Sequence, residues 1–84
     1  MQEPTPGTVT VFSTPWCGHC LRLKSRLDGE GIPYRDVDVE QVPEAAGFVM
    51  RVNGGNQTVP TVLFPDGTTL TNPSVATVRA RLAG

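Results

Sequence analysis

The 84-residue chain is predicted to fold as one α/β domain, in which helices flank a mixed four-stranded sheet. The first observation behind this prediction is a strand pattern, a helix pattern and a second strand pattern in succession over residues 8–39, which is typical of a parallel βαβ unit. The second is a hairpin-turn signal at residues 65–67. The predicted element order is β-α-β-α-β-β-α.

The first half of the chain supplies the βαβ unit. Residues 8–12 and 32–39 alternate polar with apolar side chains and are predicted strands. Between them, apolar side chains recur at helical spacing from residue 17 to about residue 27, and the glycines of residues 28–31 end the helix. The predicted buried side of this helix is Cys20, Leu23 and Leu27, and its predicted water-facing side is Arg22, Lys24 and Arg26.

The second half begins with a helix at Pro43 and Glu44, residue types that suit a first helical turn. Residues 53–56 (Asn-Gly-Gly-Asn) are predicted to end it in left-handed backbone conformations. Strands are predicted at residues 60–64 and 68–70, and Asn72 is predicted to cap the last helix. The predicted buried stripes are Ala45, Phe48, Val49 and Val52 on the second helix and Val75, Val78 and Leu82 on the third.

Composition argues against several classes of partner. Charged residues make up 18% of the chain and the net charge is −1, so no basic field for nucleic acid or an anionic membrane is expected. Residues 1–7 contain two prolines and lack the apolar core of a signal peptide. We expect these residues to form a short flexible segment, followed by a single domain at residues 8–84. No apolar run approaches the length of a membrane span. We therefore expect a cytoplasmic monomer.

Residues 16–20 (Trp-Cys-Gly-His-Cys) hold both cysteines of the chain, directly after a predicted strand and at the start of a predicted helix. A thiol at a helix N-terminus faces unsatisfied backbone N–H groups, which favour its thiolate. Cys17 is therefore the predicted nucleophile. Cys20 lies one turn further on, where it can attack a mixed disulfide on Cys17 and close a redox-active Cys17–Cys20 disulfide.

Two other interpretations of the cysteine pair are weaker. A structural zinc site needs about four ligands, and the chain has two Cys and one His, with His19 between the cysteines. No metal site is therefore predicted. A purely structural disulfide between residues so close in sequence constrains little of the unfolded chain.

The Cys-x-x-Cys pair after the first strand, together with residues 58–60 (Thr-Val-Pro) before the third, resembles the thioredoxin fold in its minimal glutaredoxin form. The resemblance covers essentially the whole chain. It implies a substrate-binding loop of Thr58, Val59 and Pro60 with a cis bond before the proline. In such a loop the Val59 N–H and C=O groups are offered to the substrate beside the reactive sulfur.

Within that family, residues 16–24, 52–62 and 70–74 are most similar to the mycoredoxins, small actinobacterial oxidoreductases that work with mycothiol. Ordinary glutaredoxins carry an acidic element near the last helix that holds the ammonium of glutathione, and residues 71–74 (Thr-Asn-Pro-Ser) lack it. This change suits a neutral polyol thiol. The resemblance implies that the chain reduces mixed disulfides between mycothiol, or a similar small thiol, and proteins. It also implies no bound cofactor and electrons that come from NADPH through a separate disulfide reductase.

Four further side chains have expected or possible roles at this site. Trp16 is expected to offer a flat docking surface beside the nucleophile. His19 gives residues 15–20 a likeness to protein disulfide isomerases, and it either tunes the neighbouring thiolate or is an exposed loop residue. Asn72 and Gln57 are candidates for hydrogen bonds to a sugar. Against an isomerase, residues 8–12 hold no carboxylate to serve as the buried proton acceptor of thioredoxins proper.

The sequence is also compatible with two alternative functions. One is a thioredoxin-type electron donor, such as the redoxins that supply ribonucleotide reductase and draw on thioredoxin reductase. The other is an iron–sulfur scaffold in which Cys17 residues of two subunits bridge a cluster with external thiols.

Overall fold

The computed structural model describes residues 7–83, which contain one mixed sheet. Its strands are β1 (Val9–Ser13), β2 (Tyr34–Asp38), β3 (Thr61–Leu63) and β4 (Thr69–Thr71), in the order β2-β1-β3-β4. β1 pairs in parallel with β2 and antiparallel with β3, and β3 pairs antiparallel with β4. The predicted architecture is confirmed. Residues 1–6 of the predicted flexible segment lie outside the described residues.

Three helices, α1 (Gly18–Gly29), α2 (Pro43–Val52) and α3 (Val75–Ala83), cover both faces of the sheet. Successive side chains of a strand point to opposite faces, so β1 contributes to two apolar clusters. The cluster under α1 and α3 contains Val9, Val11, Leu23, Leu27, Val62, Phe64 and Val78. The cluster under α2 contains Phe12, Val39, Ala45 and Val49. Within residues 7–83, no helix has the length and apolar character needed to cross a membrane.

The sheet brings three distant segments to one end of the molecule. β1 leads directly into the cysteine segment at the start of α1, and the antiparallel pairing of β3 with β1 places the preceding loop, residues 58–60, beside it. The Asn72 N–H donates a hydrogen bond of 2.8 Å to the Pro60 carbonyl, which ties the start of the α3 segment to the same end.

The predicted cap of the last helix is wrong by two residues. Asn72 has a left-handed backbone with φ of 49° and lies ahead of the helix. The Ser74 hydroxyl accepts a hydrogen bond of 3.1 Å from the Thr77 N–H, which is the geometry of an N-cap. The chain must reverse direction after β4, and Asn is one of the few non-glycine residues that tolerates the left-handed conformation this requires.

Three smaller predictions are also corrected. Lys24 does not face open water, because its ammonium pairs with Asp36 at 2.9 Å and only 16% of its side chain is exposed. Val52 lies at the end of α2, beyond the sheet, and is 40% exposed rather than part of the buried stripe. The left-handed positions after α2 belong to Gly54 and Gly55 and not to the flanking asparagines, because glycine adopts them without steric cost.

Candidate active site

Cys17 is the N-cap residue of α1. Its extended backbone turns the sulfur towards the helix, and the Cys20 N–H donates a hydrogen bond of 3.2 Å to the Cys17 Sγ. An oxygen of Ser, Thr or Asp usually accepts this bond at a helix start, and here a reactive sulfur takes its place. A donor in this position can hydrogen-bond a thiolate as well as a thiol, and Cys17 is buried, with 7% of its surface exposed.

Cys20 lies in a different environment, one turn inside the helix and fully buried. Burial, reinforced by a hydrogen bond with the Cys17 side chain, raises the pKa of Cys20 from 9.0 to about 12. Cys20 is therefore a neutral thiol near pH 7. Both cysteines are free thiols in this structure.

The loop at residues 58–60 presents its backbone to Cys17. The Val59–Pro60 bond is cis, as the family resemblance implies, and Pro60 is buried. The Cys17 thiol donates a long hydrogen bond of 3.8 Å to the Val59 carbonyl. Among residues 7–83 the Val59 N–H takes part in no hydrogen bond, so it is available to an incoming peptide.

Asn53 holds this loop in place, a role that the sequence pattern did not predict. Its amide nitrogen donates to the Val49 carbonyl at 2.9 Å and to the Thr61 hydroxyl at 3.1 Å, and its amide oxygen accepts from Thr71 at 2.5 Å. The Thr61 hydroxyl in turn donates to the Thr58 carbonyl at 2.7 Å. One side chain thus joins the end of α2 to β3, β4 and the loop beside Cys17.

Trp16 is 71% exposed, and its ring has a hydrogen-bond partner. The indole N–H donates a hydrogen bond of 2.9 Å to the carboxylate of Glu40, on the turn after β2. The bond orients an exposed apolar ring at the residue that precedes Cys17. Glu40 lies 24 residues from Trp16 in the sequence, and no local pattern identifies it as a partner.

The other predicted binding residues are dispersed around the cysteines. His19 and Asn72 are exposed and line one groove between α1 and the start of α3. Thr58 is exposed and contributes its carbonyl to the loop network rather than its hydroxyl. The Gln57 amide nitrogen lies 3.5 Å from the Met50 sulfur on α2. Within the described part of the chain, no three His, Cys, Asp or Glu side chains cluster as metal ligands do.

Comparison with known proteins gives consistent matches. The sequence model of the glutaredoxin family matches residues 9–68. A protein of Mycobacterium tuberculosis named as a glutaredoxin is 57% identical over 74 residues, which are 88% of each chain. Mycoredoxin 1 of Corynebacterium glutamicum is 46% identical over 74 residues, 88% of this chain and 91% of that protein. The solved glutaredoxin of Methanosarcina mazei, 20% identical, superposes with a TM-score of 0.77 over 100% of this chain and 85% of its own.

Proposed function

The chain belongs to the glutaredoxin family, and we propose that within it the protein releases mycothiol from mixed disulfides with protein cysteines. The family assignment makes it a thiol-disulfide oxidoreductase, and the resemblance drawn from the sequence is confirmed at that level. The proposal is that mycothiol is the small thiol that this protein uses.

Two observations support mycothiol. The chain is 46% identical to a protein named mycoredoxin over 88% of its length. The segment between β4 and α3 carries no carboxylate to pair with the ammonium of glutathione, and it exposes the polar side chains of Asn72 and Ser74 instead. Amide and hydroxyl groups match the hydroxyls and amides of a sugar-linked thiol.

The environment of Cys17 supports the first chemical step. The Cys17 thiolate attacks the mycothiol sulfur of the mixed disulfide, a new S–S bond joins Cys17 to mycothiol, and the protein leaves as a thiolate that takes up a proton. The Val59 N–H has no partner among residues 7–83, and the Val59 C=O loses its donor when Cys17 ionises, so both groups are then available to the substrate backbone. The Trp16 ring lies beside Cys17 as an apolar contact.

The environment of Cys20 supports an external thiol in the second step. The attacking group must be a thiolate, and Cys20 is fully buried, which disfavours its thiolate; in the reduced protein its pKa is raised to about 12 by burial and by the Cys17 side chain. Free mycothiol then attacks the adduct, regenerates the Cys17 thiol and leaves as oxidised mycothiol. A separate NADPH-dependent disulfide reductase returns that product to the thiol form. The Cys17–Cys20 disulfide is a slower side route.

The decisive experiment supplies the enzyme with three reducing systems in parallel and follows NADPH oxidation. These are mycothiol with its reductase, glutathione with its reductase, and thioredoxin reductase alone. We expect turnover of a mycothiolated peptide with the first system at a rate at least about tenfold above the other two, since a fitted thiol site is worth at least ~1.4 kcal/mol. Turnover with thioredoxin reductase alone replaces the proposal with the thioredoxin-type donor. An absorbing cluster in anaerobically purified protein favours the iron–sulfur scaffold.

A further inference from the structure

A groove of about 480 Å³ lies between α1 and the segment that begins α3, at the same end of the sheet as Cys17. Its α1 wall carries His19, Arg22 and Arg26, and its other wall includes Asn72 and Ser74. A cavity of this size suits a small molecule or one arm of it.

The α1 wall carries one apolar side chain, Leu23, and three side chains of basic residue types. The three, His19, Arg22 and Arg26, are spaced i, i+3 and i+7, so they share one face of the helix. No carboxylate lines the groove. Within residues 7–83, neither the Arg22 nor the Arg26 side chain takes part in a hydrogen bond, an ion pair or a ring contact.

The other cationic side chains of the chain all have partners. Lys24 pairs with Asp36, Arg79 with Glu30, Arg81 with Thr68 and the Phe64 ring, Arg51 with the Phe48 ring, and Arg35 is also engaged. Among the described residues, Arg22 and Arg26 therefore have no side-chain partner of any kind, and both line one groove, although the chain as a whole carries a net charge of −1.

We infer that the groove binds the phosphate-bearing arm of a small thiol whose sulfur lies at Cys17. This inference rests on the proposed function and adds a second class of thiol to it, because mycothiol carries no phosphate. Planar guanidinium groups present paired N–H donors that match phosphate oxygens. Two of them one turn apart can hold one phosphate ester or two adjacent ones.

The position of the arginines sets the length of the thiol. With a rise of 1.5 Å per helical residue, Arg22 and Arg26 lie roughly 8 and 14 Å along the α1 axis from Cys17. These are backbone distances, and arginine side chains lean back towards the N-terminus of their helix, which shortens the gap to the sulfur. A thiol with a long linker between sulfur and phosphate, such as one of the phosphopantetheine type, spans the distance to Arg26 better than a thiol with its charge next to the sulfur.

The chemical step is the same exchange as for mycothiol. Cys17 thiolate attacks the small-thiol sulfur of a protein mixed disulfide, the Cys17–thiol bond forms, and the protein leaves as a thiol after taking up a proton. A second molecule of the small thiol then releases Cys17 and forms the symmetric disulfide.

The test compares two mixed-disulfide peptides that differ only in phosphate. One carries coenzyme A and the other carries pantetheine, which has the same thiol arm without phosphate. Single-turnover transfer to Cys17 is followed by mass spectrometry in the Cys20→Ser background. We expect the coenzyme A peptide to react about tenfold faster in roughly 10 mM salt, and the ratio to fall towards one in roughly 0.5 M salt, where surface charges are screened.

Arg22→Gln and Arg26→Gln are each expected to lower this ratio, and the double variant to bring it close to one. Arg51→Gln is the matched control, because it removes the same charge from an exposed position on α2 and is expected to leave the ratio unchanged. An equal rate for both peptides in wild type, or a ratio that persists in the double variant, overturns the inference.

A binding measurement separates this inference from the proposed function. S-methyl coenzyme A and S-methyl pantetheine cannot react, and NMR shifts of the Arg22 and Arg26 side chains report their binding. If S-methyl coenzyme A binds but the protein transfers no thiol, the proposed function is overturned and phosphate binding in the groove still stands. If the protein transfers mycothiol and pantetheine but does not bind S-methyl coenzyme A, phosphate binding in the groove is overturned and the proposed function still stands.

Discussion

The Trp16 indole N–H donates to the Glu40 carboxylate at 2.9 Å, and this bond fixes an exposed ring beside the reactive sulfur. We propose that Glu40 positions this ring for substrate docking without touching the substrate itself. A fixed aromatic surface loses less entropy on binding than a mobile one.

Glu40→Ala is expected to raise KM for disulfide-bearing peptides about threefold and to change kcat little, because an exposed charge-assisted bond is worth ~0.5–1 kcal/mol. Trp16 is the only tryptophan, so a fall in fluorescence anisotropy will report the freed ring directly. Glu44→Ala, an exposed acid in the first turn of α2, is the control. Unchanged anisotropy in Glu40→Ala would show that the bond does not hold the ring.

Asn53→Ala is expected to lower the free energy of unfolding by about 2–3 kcal/mol, because it removes three hydrogen bonds that join α2, β3 and β4. Denaturant unfolding measures this loss. The freed loop should also lower kcat/KM several-fold. Asn56→Ala removes one exposed contact of 3.4 Å and is expected to cost less than about 0.5 kcal/mol. Equal losses in the two variants would contradict the role given to Asn53.

The two cysteines are expected to differ sharply on substitution. Cys17→Ser should abolish activity, because no other thiol lies at the helix start among the described residues. Cys20→Ser should still release mycothiol from a mixed disulfide, and when free thiol is withheld it should accumulate as the Cys17–mycothiol adduct. Mass spectrometry detects that adduct. Loss of all activity in Cys20→Ser would mean that the dithiol route is obligatory.

The stability of the reduced protein is expected to fall at high pH because of Cys20. Its pKa is raised from 9.0 to about 12, so the folded chain keeps the thiol proton that the unfolded chain loses. This contribution is fully present below about pH 9 and is lost as the pH rises towards about 12. Unfolding curves at several pH values should therefore show a steeper decline in wild type than in Cys20→Ser. Burial also raises the pKa of Tyr34, so the difference between the two proteins is the quantity to compare.

Local patterns were sufficient for the element order and for the cysteine pair. Strand alternation, helical spacing and the hairpin turn each depend on neighbouring residues, and so does a sulfur at a helix start. Ser74 and Asn72 show the limit of such patterns. Both are good cap residues, and the choice between them depends on how the chain reverses after β4.

Contacts between distant segments could not be predicted in this way. Helical spacing gives the side of α1 from which Lys24 emerges, but not that Asp36 of β2 lies within its reach. The partnership of Trp16 with Glu40, and of Asn53 with Thr61 and Thr71, likewise exists only after the sheet has assembled. The groove likewise exists only because the start of α3 lies beside α1 in the assembled fold.

The sheet order β2-β1-β3-β4 has a consequence for dividing the chain. Cys17 and Cys20 precede the exposed glycine turn at Gly54 and Gly55, whereas Val59, Pro60 and the α3 wall of the groove follow it. Neither half holds a complete site, and each half carries a strand edge that the other must cover, because β1 pairs with β3. A chain cut at this turn would make a split reporter, in which thiol transfer returns only when two fused partners bring the halves together.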